Sequence, residues 1–214
     1  MILTRLGHAA LLIETTSTRV LIDPGSFSTD WHGLTDLDAV LVTHQHADHV
    51  DVDNIGQVLD ANPGARVIVE RAVVDMLADR TVEVAGVGDK IEIGDLRIEV
   101  VGGQHAIIHD RIPRVGNVGY VVGENRGPTV FHPGDSYTST PSGIDVLALP
   151  LAAPWARVAM TIDFVSAVRP TRIVPIHDAI LSAAGRPIYL RMCRGVIDES
   201  IPIEDPAIGE PYTV

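Results

Sequence analysis

Apolar residues fall in short runs separated by turn formers, a rhythm that predicts more strand than helix. Met1–Leu6, Ala10–Thr15 and Arg19–Ile22 read as the first three strands, joined by the tight bend Gly7-His8 and the polar turn Thr16-Ser17-Thr18. Asp23-Pro24-Gly25 stops the third. The run Asp38 to Thr43 is apolar at nearly every position, which suits a strand covered on both faces. Asp51 stands where a helix N-cap belongs, ahead of an amphipathic helix over Val52–Ala61 that Asn62-Pro63-Gly64 terminates.

The unit then repeats. Strand Arg66–Val69 leads to helix Ala72–Ala78 and to strands Val82–Val84, Lys90–Ile93 and Leu96–Val101, with Gly86-Val87-Gly88-Asp89 and Gly94-Asp95 read as hairpin turns. A loop to Gly116 precedes strands Val118–Val122 and Thr129–His132, and Pro133-Gly134-Asp135-Ser136 breaks the second of these. Asp145–Leu149 is a further buried-type strand, Thr161–Val168 a helix stopped by Pro170, Arg172–Ile176 the last core strand, and a C-terminal helix holds Cys193. Such alternation, with hairpins interspersed, predicts an α/β protein with two mixed sheets and outer helices.

At 214 residues the chain is long enough for one sizeable core, so residues 1–214 are expected to form a single domain. The stretch from about residue 195 to 214, with Pro202, Pro206 and Pro211, reads as an extended tail packed on the body, and it leaves a homo-oligomeric contact open.

Composition narrows the function. The formal net charge of -12 argues against nucleic acid or an anionic membrane surface as partner, although two bound divalent ions would reverse the sign locally. One cysteine excludes an intrachain disulfide and fits a reducing compartment. The first residues lack the charged and apolar regions of a signal peptide. The longest apolar tract, Val146 to Ala156, is eleven residues with two prolines, too short for a bilayer. A cytoplasmic protein acting on a small molecule is the expectation.

The chemistry concentrates in Thr43 to His49, THQHADH, at the end of the buried-type strand. His44, His46, Asp48 and His49 are metal ligands by type, imidazole suiting zinc, iron, manganese or nickel and the carboxylate adding a hard oxygen. Further donors are sought at strand ends, where open α/β sheets place chemistry. His105 follows Gly102-Gly103, Asp135 lies in HPGDS, and His177 lies in PIHD. His8 and His132 are candidates for orienting ligands, and His109 is read as a loop residue or a proton-transfer group. No GxSxG, phosphate-binding glycine loop or CxxC is present.

In order, THQHADH, His105, HPGDS and PIHD resemble the metal-ligand series of the metallo-β-lactamase superfamily. With the opening GHAALLIE and LIDP they are most similar to its lactonase-like metal-dependent hydrolases, the branch that includes L-ascorbate-6-phosphate lactonase. The resemblance covers residues 1 to about 180 and implies a four-layer αββα sandwich. It implies that His44, His46 and His105 hold one divalent ion, Asp48, His49 and His177 a second, and that Asp135 bridges them. Zinc or manganese leads, with iron or nickel as alternatives. Two such ions can share a water and bring its pKa to about 7. The implied activity is hydrolysis of a small-molecule ester, lactone or phosphoester, with Asp135 positioning the nucleophile and Asp48 relaying a proton.

Two rivals remain: a phosphodiesterase or nuclease of the same fold, disfavoured by the acidity, and a non-catalytic metal-stabilised binding protein. Purely structural sites usually close their shell with cysteines, which disfavours the second. Substrate selection is expected around His8, Trp31 and the loop His105 to Gly116, where Arg111 and Arg114 either grip an anionic group or are solvated.

Overall fold

The structure is a computed structural model that describes residues 1–214. Its strands are β1 Ile2–Arg5, β2 Leu11–Glu14, β3 Arg19–Ile22, β4 Ala39–Val42, β5 Arg66–Val69, β6 Glu83–Val84, β7 Lys90–Ile93, β8 Leu96–Gly102, β9 Val118–Glu124, β10 Thr129–His132, β11 Val146–Pro150, β12 Arg172–Ile176 and β13 Pro211–Thr213. The α-helices are α1 Ile55–Ala61, α2 Val158–Val168 and α3 Arg186–Arg194, and a 3-10 helix spans Arg71–Leu77.

Seven strands pair in the order β13-β1-β2-β3-β4-β5-β6 and six in the order β12-β11-β10-β9-β8-β7. The two sheets face each other across one apolar core. β4 shows why its sequence is apolar throughout: Ala39 and Leu41 point between the sheets, whereas Val40 and Val42 point outward to Ile55 and Val58 of α1. On the far side Phe131, Leu147 and Ile173 meet Phe164 and Val165 of α2 and Leu190 and Cys193 of α3. Helix, sheet, sheet and helix make the four layers that the sequence implies. Tyr120 of β9 ties the sheets directly, its buried hydroxyl donating to the Val42 carbonyl at 2.9 Å.

Several elements depart from the sequence reading. α1 begins at Ile55 with Asn54 at its N-cap, three residues later than expected, because Asp51 is used otherwise. Asp51 accepts from the Asp53 amide at 3.1 Å and from the Asn54 side chain at 2.8 Å, which folds residues 52–54 into a turn. The expected helix at Ala72–Ala78 is 3-10, started by the Glu70 carboxylate, which accepts from the Ala72 amide. Gly86 to Asp89 is no hairpin: β6 closes one sheet and β7 opens the other, so this turn crosses between them. Gly94-Asp95 does join an antiparallel pair, β7 and β8. The tail ends in β13, which pairs antiparallel with β1. As an edge strand it tolerates Pro211, which has no N–H to donate. No helix is long and apolar enough to cross a membrane.

Candidate metal centre

The candidate side chains all leave the carboxyl ends of strands at one end of the two sheets. His8 follows β1, His44 to His49 follow β4, His105 follows β8, Asp135 follows β10 and His177 follows β12. The path there is strained. His8, Asp23 and His177 take left-handed backbone at φ of 46°, 50° and 55°, which residues with a Cβ adopt only where surrounding contacts enforce it. Gly25 lies against the ligand loop so closely that a Cβ there would sit 1.8 Å from the Asp48 carbonyl oxygen.

Two groups of donors result. His44, His46, His105 and Asp135 offer atoms within 4.8 Å of one another, and so do His8, Asp48, His49 and His177. Asp135 stands between them. Its Oδ2 is 3.4 Å from His105 Nε2, and its Oδ1 is 3.2 Å from His49 Nε2 and 3.1 Å from His177 Nε2.

The outward ring nitrogens of His44, His49, His105 and His177 are engaged. His49 Nδ1–H donates to Asp23 at 2.6 Å, His105 Nδ1–H to the Ala106 carbonyl at 2.7 Å and His177 Nδ1–H to the Ala152 carbonyl at 2.7 Å. His44 Nδ1–H donates at 3.0 Å to the Thr43 hydroxyl, which itself donates to Asp23. Fixing the proton on Nδ1 turns each Nε2 lone pair inward, the arrangement that orients metal-ligating histidines. His49, His105 and His177 Nε2 and Asp135 Oδ1 are buried without a hydrogen-bond partner. An orphaned buried polar atom costs about 1–3 kcal/mol. Four of them converging on one volume fit cations, and the residues present therefore suit two divalent ions.

The electrostatics favour positive charge beside Asp135. Burial opposes charge on His49, but the Asp135 and Asp23 carboxylates outweigh it and raise its pKa well above the ordinary value. His177 likewise, buried beside Asp135 and Asp48, is raised to about 9. Burial pushes His44 well below the usual imidazole range, helped by the charge of His49. Asp48 resists burial because the His177 imidazole lies 3.5 Å away and His8 donates to it, and it stays far below the ordinary carboxylate value.

The surrounding residues hold this geometry. Trp155 Nε1–H donates to Asp135 Oδ2 at 2.8 Å, and the Asp135 amide donates to Asn117 Oδ1 at 2.8 Å. His8 Nδ1 accepts from the Ala179 amide at 3.3 Å, so its Nε2 carries the proton and donates to Asp48 Oδ2 at 3.1 Å. His132 spends both nitrogens on backbone, donating to the Ala9 carbonyl and accepting from the Gly134 amide. Asp178 accepts from Arg5 at 2.8 Å and from Arg186 at 2.7 Å, joining strand β1 to helix α3. His109 is exposed, accepting from the Arg111 amide at 3.1 Å. Arg114 is committed to the His105 carbonyl and to Gln104.

The sequence reading misplaced Trp31. It is fully buried in the core beneath α1, donating to the Gly25 carbonyl at 3.0 Å, and does not reach the mouth. Asp23, Asn117 and Trp155 were not singled out as parts of the site. For Asp23 a clue existed, an acidic residue ending a buried strand inside LIDP. For Trp155 and Asn117 the sequence offers none.

A family model described as "Beta-lactamase superfamily domain" matches residues 2–177. Protein Rv0786c of Mycobacterium tuberculosis is 42% identical over 192 residues, covering 88% of this chain and 89% of that one. A UPF0173 metal-dependent hydrolase of Pyrococcus furiosus is 29% identical over 195 residues, covering 81% and 83% of the two chains. The structure of Igni18, a metallo hydrolase from Ignicoccus hospitalis, superposes with a TM-score of 0.72 at 19% identity, over 99% of this chain and 97% of that one. At that identity the likeness shows the shared fold.

Proposed function

Since the chain belongs to the metallo-β-lactamase superfamily and is a metal-dependent hydrolase, we propose that it is a dinuclear enzyme of the lactonase-like branch that cleaves a small-molecule ester or lactone. In this reading His44, His46 and His105 would hold one divalent ion and Asp48, His49 and His177 the other, with Asp135 placed between the two groups. The observation that carries it is the set of four buried, unpartnered donor atoms aimed at one volume. Zinc or manganese suits this mixture of imidazole and carboxylate.

Two ions held there would supply Lewis-acid polarisation and lower the pKa of a water toward neutrality. The chain does the rest. Asp135, fixed by the Trp155 indole and the Asn117 side chain, keeps its carboxylate at the centre. Asp48 is the half-exposed carboxylate, and its Oδ2 is held by His8. It takes the proton released as water adds to the acyl carbon, and it returns that proton to the alkoxide when the acyl C–O bond breaks. The products are a carboxylic acid and an alcohol, or one hydroxy acid from a lactone.

The test is a hydrolysis screen of esters, lactones and phosphodiesters with zinc- and manganese-loaded protein, using Asp135→Ala as blank. Turnover of an ester or lactone with about two metal ions per chain is the expected result. Fewer than one ion per chain, in protein purified without chelator, overturns the reading. Turnover confined to phosphodiesters would replace it with the nuclease-like alternative, which a net charge of -12 disfavours.

A further inference from the structure

Fourteen large apolar side chains are exposed, and four of them border the two donor groups. Ile107, Ile108 and Ile112 are 60%, 37% and 49% exposed, all on the loop that follows His105. They line a small pocket whose inner wall is His46 and His105, together with Ala106, Pro113 and Val115. On the other side Phe27, 50% exposed, packs its ring 5.0 Å from that of His8. Ile180, 46% exposed, follows Ala179, whose amide is bonded to His8.

Solitary exposed apolar residues need no explanation, but a group surrounding a polar centre marks a ligand surface. The pocket lining offers no free cation to an anionic substrate; Arg111, exposed on the same loop, is not part of that lining. Arg114 borders the pocket, yet its guanidinium is spent on the His105 carbonyl and the Gln104 side chain, at 2.7 Å for the latter. No other arginine or lysine lines this pocket.

We infer that the substrate is uncharged and carries an aliphatic chain next to its scissile ester or lactone carbonyl, the chain lying against Ile107, Ile108 and Ile112. The inference rests on the hydrolase reading for what happens to the carbonyl, but not for what the isoleucines bind. It sets aside phosphorylated sugars, which present anionic oxygens to a surface of methyl groups.

Two measurements separate the failure of one idea from the failure of the other. With metal-loaded protein and p-nitrophenyl esters from acetate to octanoate, kcat/KM should rise roughly threefold to fourfold per added methylene, until the chain outgrows the loop. In Ile107→Ser/Ile112→Ser the rise should flatten. Independently of turnover, the affinity for non-hydrolysable methyl ketones from 2-butanone to 2-decanone, followed by amide shifts in NMR, should climb with length and lose that climb in the same variant. Both substitutions lie at exposed positions, and unchanged amide dispersion verifies the fold. If ketone affinity climbs while no ester is cleaved, the apolar site stands and the hydrolase reading falls. Ester turnover or ketone binding that is indifferent to chain length overturns the inference, as does a faster reaction with an anionic sugar-phosphate lactone.

Discussion

The indole N–H of Trp155 points at Oδ2 of Asp135 from 2.8 Å, and both side chains are buried. A carboxylate lying between the two donor groups must keep both oxygens in place if it is to serve both, and this hydrogen bond restrains the one facing His105. Trp155→Phe removes the donor and keeps an aromatic ring. Activity or metal affinity should fall about 10- to 100-fold, the usual effect of losing an orienting partner. Metal content and kcat, measured alongside a thermal melt, check it. Unaltered kcat and metal retention in a folded variant would show that Asp135 is held well enough without the indole.

Gly25 makes a second close approach. Its Cα faces the Asp48 carbonyl, and a methyl group there would overlap backbone that cannot move without taking Asp48 and His49 along. Gly25→Ala is predicted to destabilise the fold by about 1–3 kcal/mol, as overpacking does, and to cost metal disproportionately. Isothermal titration with zinc compared against the urea midpoint separates the two effects. A variant less stable than the wild type but equal to it in metal affinity would place the strain outside the ligand loop.

The contrast between what could be read and what could not is physical. Metal donors come from a short list of residue types, and α/β sheets tend to place them at strand ends, so His44, His46, Asp48, His49, His105, Asp135 and His177 are conspicuous in the sequence, and the structure gathers all seven. Their division into two sets follows from resemblance, because spacing alone does not say which rings meet. Asp23 and Trp155 support the site from segments distant along the chain. A buried tryptophan gives no sign in sequence of whether its N–H serves a carbonyl, as in Trp31, or a carboxylate, as in Trp155. The same distance effect hides β13, a short strand containing proline that is held by pairing with the opposite end of the chain.

Tyr120 offers a test of how the sheets are joined. Its hydroxyl sits in the core and donates to the Val42 carbonyl, the last residue of β4 before the ligand loop. That carbonyl also accepts from the Glu70 amide at 3.1 Å, so Tyr120→Phe leaves the Val42 carbonyl paired. The expected cost is about 0.5–1.5 kcal/mol. For a chain of this size that is a drop in Tm of roughly 1–6 °C, readable by calorimetry. A larger loss would mean that the hydroxyl also fixes the entry to the loop.

The last prediction concerns the charges around Asp178. Arg5 and Asp178 are 5% and 8% exposed and meet at 2.8 Å, while Arg186 bonds both Asp178 and Asp205. Breaking a buried pair by removing one partner leaves the other charge uncompensated, which typically costs 3–5 kcal/mol. Here neither charge is left alone, because Arg186 still bonds Asp178 and Asp205 still bonds Arg5, so Arg5→Met and Asp178→Asn should each destabilise by less than that, about 1–3 kcal/mol. Asp205 gives the network a pH dependence. Hydrogen bonds from Arg186 outweigh burial and hold its folded pKa below the ordinary carboxylate value. Its stabilisation is thus complete above the unfolded pKa of about 3.9 and is lost as pH falls through the lower, folded one. The difference in Tm between wild type and Asp205→Asn should be constant from pH 7 to pH 5 and shrink below pH 4. A difference that persists unchanged to pH 3 would mean that Asp205 contributes through packing of the tail rather than through its charge.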